Sequence, residues 1–351
     1  MLYNTKNPHG GDLYSQPTQI DFSANINPYG TPEAVRRAVA DAAGRLLHYP
    51  DPYCRELVTA IAAHEGVPQD YILCGNGAAE LIFSYCAALR PRRALLCAPT
   101  FSEYATALET VGCEIQQYYL KETQDFSLNG EFLEYLRTWQ GDALLLCNPN
   151  NPTGQVIGRP LLEEIGSLCT QKNIALFVDE CFLDLTEGGA ALSLKERLAQ
   201  WPHLFLLKAF TKSYGMAGLR LGYCLCGNAR LLEAMGRTVQ PWNVSIPAQL
   251  AGVAALGEAE FLERANRTIR EQRAFLTERL RALGLRVIPS RANYILFHSE
   301  RELKQPLLAR GILIRSCANY PGLSQGWYRV AVKLPEQNQA LIGALEAILH
   351  G

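Results

Sequence analysis

Between residues 71 and 226 the chain sets seven short, nearly continuous apolar runs between amphipathic stretches. The runs are Tyr71–Cys74, Ala94–Ala98, Glu114–Tyr118, Ala143–Cys147, Ala175–Asp179, Leu204–Lys208 and Leu221–Cys226. Runs this short and this apolar predict strands buried on both faces. Helical patterns fall between them at Ala78–Ala88, Ser102–Val111, Pro160–Lys172 and Leu192–Gln200. Strands separated by helices predict an α/β fold with a mostly parallel sheet flanked by helices. Such sheets bind ligands beyond the carboxyl ends of their strands. The residues just after each run are therefore the candidates for chemistry.

Around Pro241 the pattern changes. Residues 246–283 carry apolar positions at helical spacing and predict one or two long helices. Strands are expected at Arg286–Ser299, Ile312–Arg315 and Trp327–Val332, with helices at Glu302–Arg310 and Glu336–Leu349. The division that follows is an N-terminal arm over 1–30, a large domain over 31–240, and connecting helices with a small α+β domain over 241–351. The arm, rich in Gly, Pro and Asn, is expected to wrap across the surface.

Composition removes several function classes. Lys and Arg total 33 against 34 acids, so no basic excess points to nucleic acid or an anionic membrane. No apolar run approaches the ~18 residues that span a bilayer, and the first residues lack a secretion signal's apolar core. Eleven cysteines without a C-x-x-C pair or zinc spacing read as buried hydrophobes in a reduced, cytoplasmic setting. No metal site is expected.

The segments after the runs carry a consistent chemistry. Gly75-Asn76-Gly77-Ala78-Ala79-Glu80 is a glycine turn opening a helix, a place for a phosphate, although it stops short of G-x-G-x-x-G. Phe101 follows the second run and can stack on a flat ring. Asn148-Pro-Asn-Asn151-Pro-Thr-Gly154 is a turn stiffened by two prolines. Asp179 closes an apolar run, where a carboxylate needs a cationic partner such as a protonated pyridine nitrogen. Only 8 of the 33 basic residues are Lys, yet Lys212 sits in the loop after a run, flanked by Thr211 and Ser213. A lysine so placed can form a Schiff base with an aldehyde cofactor, and Arg220 can pair with a phosphate. Lys208, at the run's end, is the rival lysine.

Taken in order, Gly75–Glu80, Pro99–Phe101, Asn151-Pro-Thr-Gly154, Asp179-Glu-x-Phe182 and Thr211-Lys212…Gly218-Leu-Arg220 resemble the aspartate-aminotransferase-type fold of pyridoxal-phosphate enzymes. The resemblance covers nearly the whole chain. It implies that Lys212 bonds the cofactor aldehyde, Asp179 pairs the pyridine nitrogen, and Asn151 bonds the ring hydroxyl oxygen. Phe101 stacks on the ring, while Gly77, Ala78, Thr211 and Arg220 hold the phosphate. His48-Tyr49-Pro50-Asp51 resembles the segment lent by a neighbouring subunit, with Tyr49 reaching the phosphate, so a homodimer with shared sites is implied.

Within that family, His9-Gly10-Gly11-Asp12 and the segment around Asn25 resemble the threonine-phosphate decarboxylases of cobalamin synthesis, where His9, Gly10 and Asn25 would contact substrate. Phe182 replaces the tyrosine usual in the aminotransferases, as in the decarboxylase branch. Arg315 and Arg329 offer two guanidinium forks for a substrate bearing both phosphate and carboxylate. The sequence does not assign one anion to each. The implied activity is decarboxylation of O-phospho-L-threonine, or a close phospho-amino acid, to 1-amino-2-propanol phosphate. The alternative is a histidinol-phosphate-type aminotransferase.

Overall fold

A computed structural model of the protein describes residues 9–15 and 18–350; positions 1–8 and 16–17 of the expected arm lie outside the described residues. Strand β1 is Ile20–Asp21. The central sheet is built from β2 (Ile72–Gly75), β3 (Arg93–Ala98), β4 (Glu114–Tyr119), β5 (Ala143–Cys147), β6 (Ala175–Asp179), β7 (Leu204–Ala209) and β8 (Gly222–Cys226). Their spatial order is β2-β8-β7-β6-β5-β3-β4. All pairings from β7 through β4 are parallel, and only β8 runs antiparallel to its two neighbours. This is the α/β sheet that the apolar runs predict. Leu144, Leu146, Leu176, Val178 and Leu206 pack into one face, while Leu145, Phe177, Phe205 and Leu207 pack into the other. Burial on both faces explains why the runs show no polar alternation.

Because β8 runs backwards, its first residue lies at the rim where β3, β5, β6 and β7 end. Gly222 pairs with Ala209 on one side and Gly75 on the other. Arg220, just before β8, therefore reaches the same rim as the residues that follow the parallel strands.

The smaller unit holds β9 (Arg286–Val287), β10 (Tyr294–His298), β11 (Ile312–Leu313), β12 (Arg315–Ser316) and β13 (Trp327–Ala331). Four of these form an antiparallel sheet in the order β12-β13-β10-β9. Leu276 and Leu280 of helix Ala259–Ala282, with Leu341 and Leu345 of helix Pro335–His350, close a core over it. The helical reading of 246–283 resolves into Ile246–Leu256 and Ala259–Ala282.

Four expectations are corrected. Residues 20–27 are no surface wrap: β1 pairs parallel with β11, and Phe22, Ser23, Asn25 and Asn27 are buried. Arg286–Ser299 is two strands, not one, with Pro289–Asn293 turning between them. Ile312–Arg315 divides between two sheets, since β11 pairs with β1 and β12 pairs with β13. Leu192–Gln200 is no α-helix; it contains the short 3-10 turn Lys195–Arg197. There Ser193 Oγ and the Leu194 amide both donate to Glu180, at 2.8 and 3.3 Å, and these tertiary bonds outcompete a helical ladder. Among the described residues no helix is long and apolar enough to cross a membrane, and no His, Cys, Asp or Glu group is arranged to hold a metal ion. All eleven cysteines are free and buried.

Candidate active site

The rim encloses a cavity of about 370 Å³ lined by His9, Gly10, Asn25, Ala78, Phe101, Asn151, Asp179, Thr211, Lys212, Arg220, Arg315 and Arg329. Residues separated by 320 positions in sequence thus share one space. Gly77 stands behind the lining: its φ is +82°, and a Cβ there would collide with the Arg220 guanidinium. Glycine lets that arginine lie against the helix entry. Glu80, which occupies the place of a third glycine, accepts from the Asn76 amide at 2.7 Å and from Asn243 at 2.6 Å, fixing the turn. Tyr49 lies elsewhere. It is 77% exposed and stacks on Trp242 at 4.5 Å, outside this chain's own cavity.

The three asparagines after β5 have separate work. Asn148 closes the loop by bonding Ile157 in both directions, at 2.9 and 3.4 Å. Asn150 ties it to the neighbouring loop through Pro99 O at 2.9 Å and Thr100 Oγ1 at 2.8 Å. Asn151 alone turns to the cavity, where its Oδ1 accepts from Arg329.

Charge in the cavity is unbalanced. Asp179 is 6% exposed, and among the described residues its carboxylate accepts from neutral donors, the Tyr104 hydroxyl at 2.6 Å and the Cys181 amide at 2.8 Å. Burial raises its pKa, and hydrogen bonds from Cys181 and Tyr104 oppose the shift. Among the described residues no Lys or Arg forms an ion pair with it. Burial, helped by the nearby guanidinium of Arg329, pulls the Lys212 amine down to about 8. Arg329, 5% exposed, donates to Ser23 O at 2.7 Å and has no carboxylate partner among the described residues, and its Nε is unpaired. The Oδ1 of Asn25 is unpaired too. Arg315 sits directly across from Arg329 in the β12–β13 register. Like charges facing each other across strands are destabilising unless an anion bridges them. The site therefore presents an amine that releases its proton at about 8, a carboxylate held by neutral donors, and the Arg329 guanidinium with an unpaired Nε.

The family model for class I and II aminotransferases matches residues 17–345. The chain belongs to the class I and II aminotransferase family. It is 42% identical to a threonine-phosphate decarboxylase of Salmonella typhimurium, over 100% of this chain and 98% of that one. The histidinol-phosphate aminotransferase of Clostridium acetobutylicum superposes with a TM-score of 0.88 at 28% identity, covering 95% of this chain and 99% of that one. The L-threonine-O-3-phosphate decarboxylase of Porphyromonas gingivalis shares the fold, with a TM-score of 0.82 at 24% identity over 95% and 100%.

Against this family background, some lining residues escaped the sequence reading. Tyr320 lines the cavity and lies 5.3 Å beneath the Arg315 guanidinium. Glu103 lies 3.0 Å from His9 Nε2 and draws the arm to the cavity. Nothing local marks Tyr320, whereas Glu103 and Tyr104 open the helix Glu103–Glu109 just after Phe101, and that position beyond a strand's end is the signal that could have found them. Tyr104 matters most, since its hydroxyl holds Asp179. Tyr104→Phe should leave that carboxylate with one donor fewer, raise its pKa further and lower stability by about 1.5–3 kcal/mol at neutral pH. The loss should shrink on acidification as Asp179 takes up its proton, which urea unfolding at two pH values measures.

Proposed function

We propose that this chain decarboxylates O-phospho-L-threonine with pyridoxal phosphate as cofactor. The observation that carries the reading is the end-to-end identity of 42% to a threonine-phosphate decarboxylase. The facing arginines Arg315 and Arg329 support it, because a substrate with a phosphate and a carboxylate brings two anionic ends to that pair.

The residues present fit pyridoxal phosphate. Asp179 offers a carboxylate for the ring nitrogen, Phe101 a ring face, and Asn151 an amide. The helix entry at Ala78 with Thr211 and Arg220 offers donors for the phosphate. When bound, the group supplies an aldehyde and an electron-withdrawing ring that takes up the electrons of the bond broken at the substrate's α-carbon. Lys212 is the amine that would hold the group's aldehyde, and it is placed to return a proton at the substrate's α-carbon. Asp179 is the carboxylate that would hold the ring nitrogen in its protonated form. Arg315 and Arg329 orient the substrate and so select which α-bond breaks, while His9, Gly10 and Asn25 close over it.

Phe182 leaves this ring environment without a tyrosine hydroxyl. It packs edge-on against Tyr294 at 5.0 Å, and the Tyr294 hydroxyl is committed to Asn150 O at 3.0 Å.

The neutral amine is the nucleophile, so reconstitution of cofactor-free protein should accelerate as pH rises through about 8, where Lys212 loses its proton. Stopped-flow absorbance after mixing with pyridoxal phosphate reads this rate.

A homodimer in the cytoplasm completes the reading. Leu46, Leu47, Tyr49, Tyr53 and Trp242 are exposed apolar residues, three of them at least 70% exposed, and such clusters mark interfaces. Tyr49 would enter the partner's site. Mixing Tyr49→Ala with Lys212→Ala subunits should restore activity if sites are shared.

The deciding experiment supplies O-phospho-L-threonine without a keto acid. Carbon dioxide released over many turnovers supports decarboxylation. Turnover that requires a 2-oxo acid, without carbon dioxide, makes the chain a transaminase of the histidinol-phosphate type.

A further inference from the structure

On the opposite side of the sheet end from Asp179 lies a second charged cluster that the proposed chemistry does not use. Lys208, 5% exposed, points its Nζ to Glu65 at 3.0 Å, Asp184 at 3.5 Å and Glu180 at 3.9 Å. Glu65 also receives Lys195 at 2.9 Å and the Tyr223 hydroxyl at 2.6 Å. These partners pull Glu65 down to about 2, so it stays charged, and they hold the Lys208 amine in its charged form.

The placement of two members is informative. Glu180 directly follows Asp179, and Ser213 directly follows Lys212. Ser213 Oγ donates to Asp184 at 3.2 Å, while Asn27 holds the same turn through Lys212 O at 3.0 Å and Ser213 O at 2.8 Å. Asp179 and Lys212 have no hydrogen bond to each other among the described residues. Each is instead followed by a residue anchored to the cluster around Lys208.

We propose that Lys208 is a positioning residue that fixes the separation of Asp179 and Lys212, acting on the loop after β6 through Glu180 and Asp184 and, through the bond from Ser213 to Asp184, on the turn that carries Lys212. A buried ion pair is weak evidence for stability, because desolvation offsets much of its attraction. Its use here is geometric: residue 65 and the segment 180–184 meet at the ammonium group of Lys208, and Lys195 joins them through Glu65. A displacement of about 1 Å between reacting groups costs roughly 100-fold in rate.

The inference rests on the cofactor reading, and a double-mutant cycle on holoenzyme separates the two. If wild-type protein shows no cofactor absorbance, the cofactor reading falls. With the band present, Lys208→Met and Ser213→Ala should each lower kcat by about 10-fold or more with KM nearly unchanged. Each should also move the pH midpoint of the bound cofactor's absorbance. The double variant should be no worse than Lys208→Met alone, because both act along one path. Lys208→Arg should recover much of the rate. Additive losses, or a wild-type midpoint and kcat with only a lower melting temperature, overturn the proposal. Should Lys208→Met fail to fold, Lys208→Gln takes its place in the cycle, keeping a donor toward Glu65. If neither folds, Lys208 serves the fold and the proposal fails.

Discussion

Lys212→Ala should yield folded protein that binds pyridoxal phosphate without its covalent absorbance band and loses activity by a factor on the order of 10⁴ or more. The amine has two duties in the proposed chemistry, bonding the aldehyde and moving a proton at the α-carbon, and proton transfer alone contributes up to about 10⁴-fold. The same variant should melt at a higher temperature than cofactor-free wild type at pH 7. In the folded state the amine sits at about 8, below its ordinary 10.5. Below pH 8 it is protonated in both states, so folding carries the full cost of burying a charge. That cost is relieved as pH climbs from about 8 to 10.5, where the folded state has released its proton and the unfolded state has not. Allowing for its partial contact with solvent, the gain for the alanine variant is roughly 1–3 kcal/mol at pH 7. It should vanish near the upper end of that window. A band that survives, or a melting advantage that grows with pH, would show that another amine serves.

Asp179→Asn should have the next largest effect. An amide cannot stabilise a cationic ring nitrogen, and it retains only the capacity to accept from Tyr104 or Cys181. Cofactor affinity should fall about 100-fold, equivalent to about 2.7 kcal/mol, as read by calorimetry. Turnover at saturating cofactor should drop by roughly 10³-fold, because the ring no longer takes up electrons well. The cofactor-free variant should be at least as stable as wild type, since burial already penalises the Asp179 charge. Unchanged affinity together with wild-type turnover would remove Asp179 from the site.

Much of this site was legible because a parallel sheet forces its chemistry to one edge. Phe101, Asn151, Asp179 and Lys212 each follow an apolar run, and the rim gathers them all. Arg220 was readable from its motif alone; the reversed direction of β8 explains how it arrives. The break in Ile312–Arg315 was not readable. Two neighbouring dipeptides there join different sheets, and partner choice is set by distant strands. Leu192–Gln200 misled for a related reason, since its helical pattern yields to Glu180, which lies 13 residues before Ser193, just past the end of a sheet strand.

Sequence by itself determined the sheet and the edge where its strands end, and it marked an amine, a carboxylate and a glycine turn there as candidates whose roles came from the family resemblance. These follow from local periodicity and from what each side chain can do at a strand's end. Only the tertiary structure decided that Arg315 faces Arg329, that Tyr104 holds Asp179, and that Phe22, Ser23, Asn25 and Asn27 are buried, with Ser23 and Asn25 lining the cavity. Those contacts join segments up to 306 positions apart, as between Arg329 and Ser23. Long-range pairing depends on how whole elements pack, a quantity no local window of sequence contains.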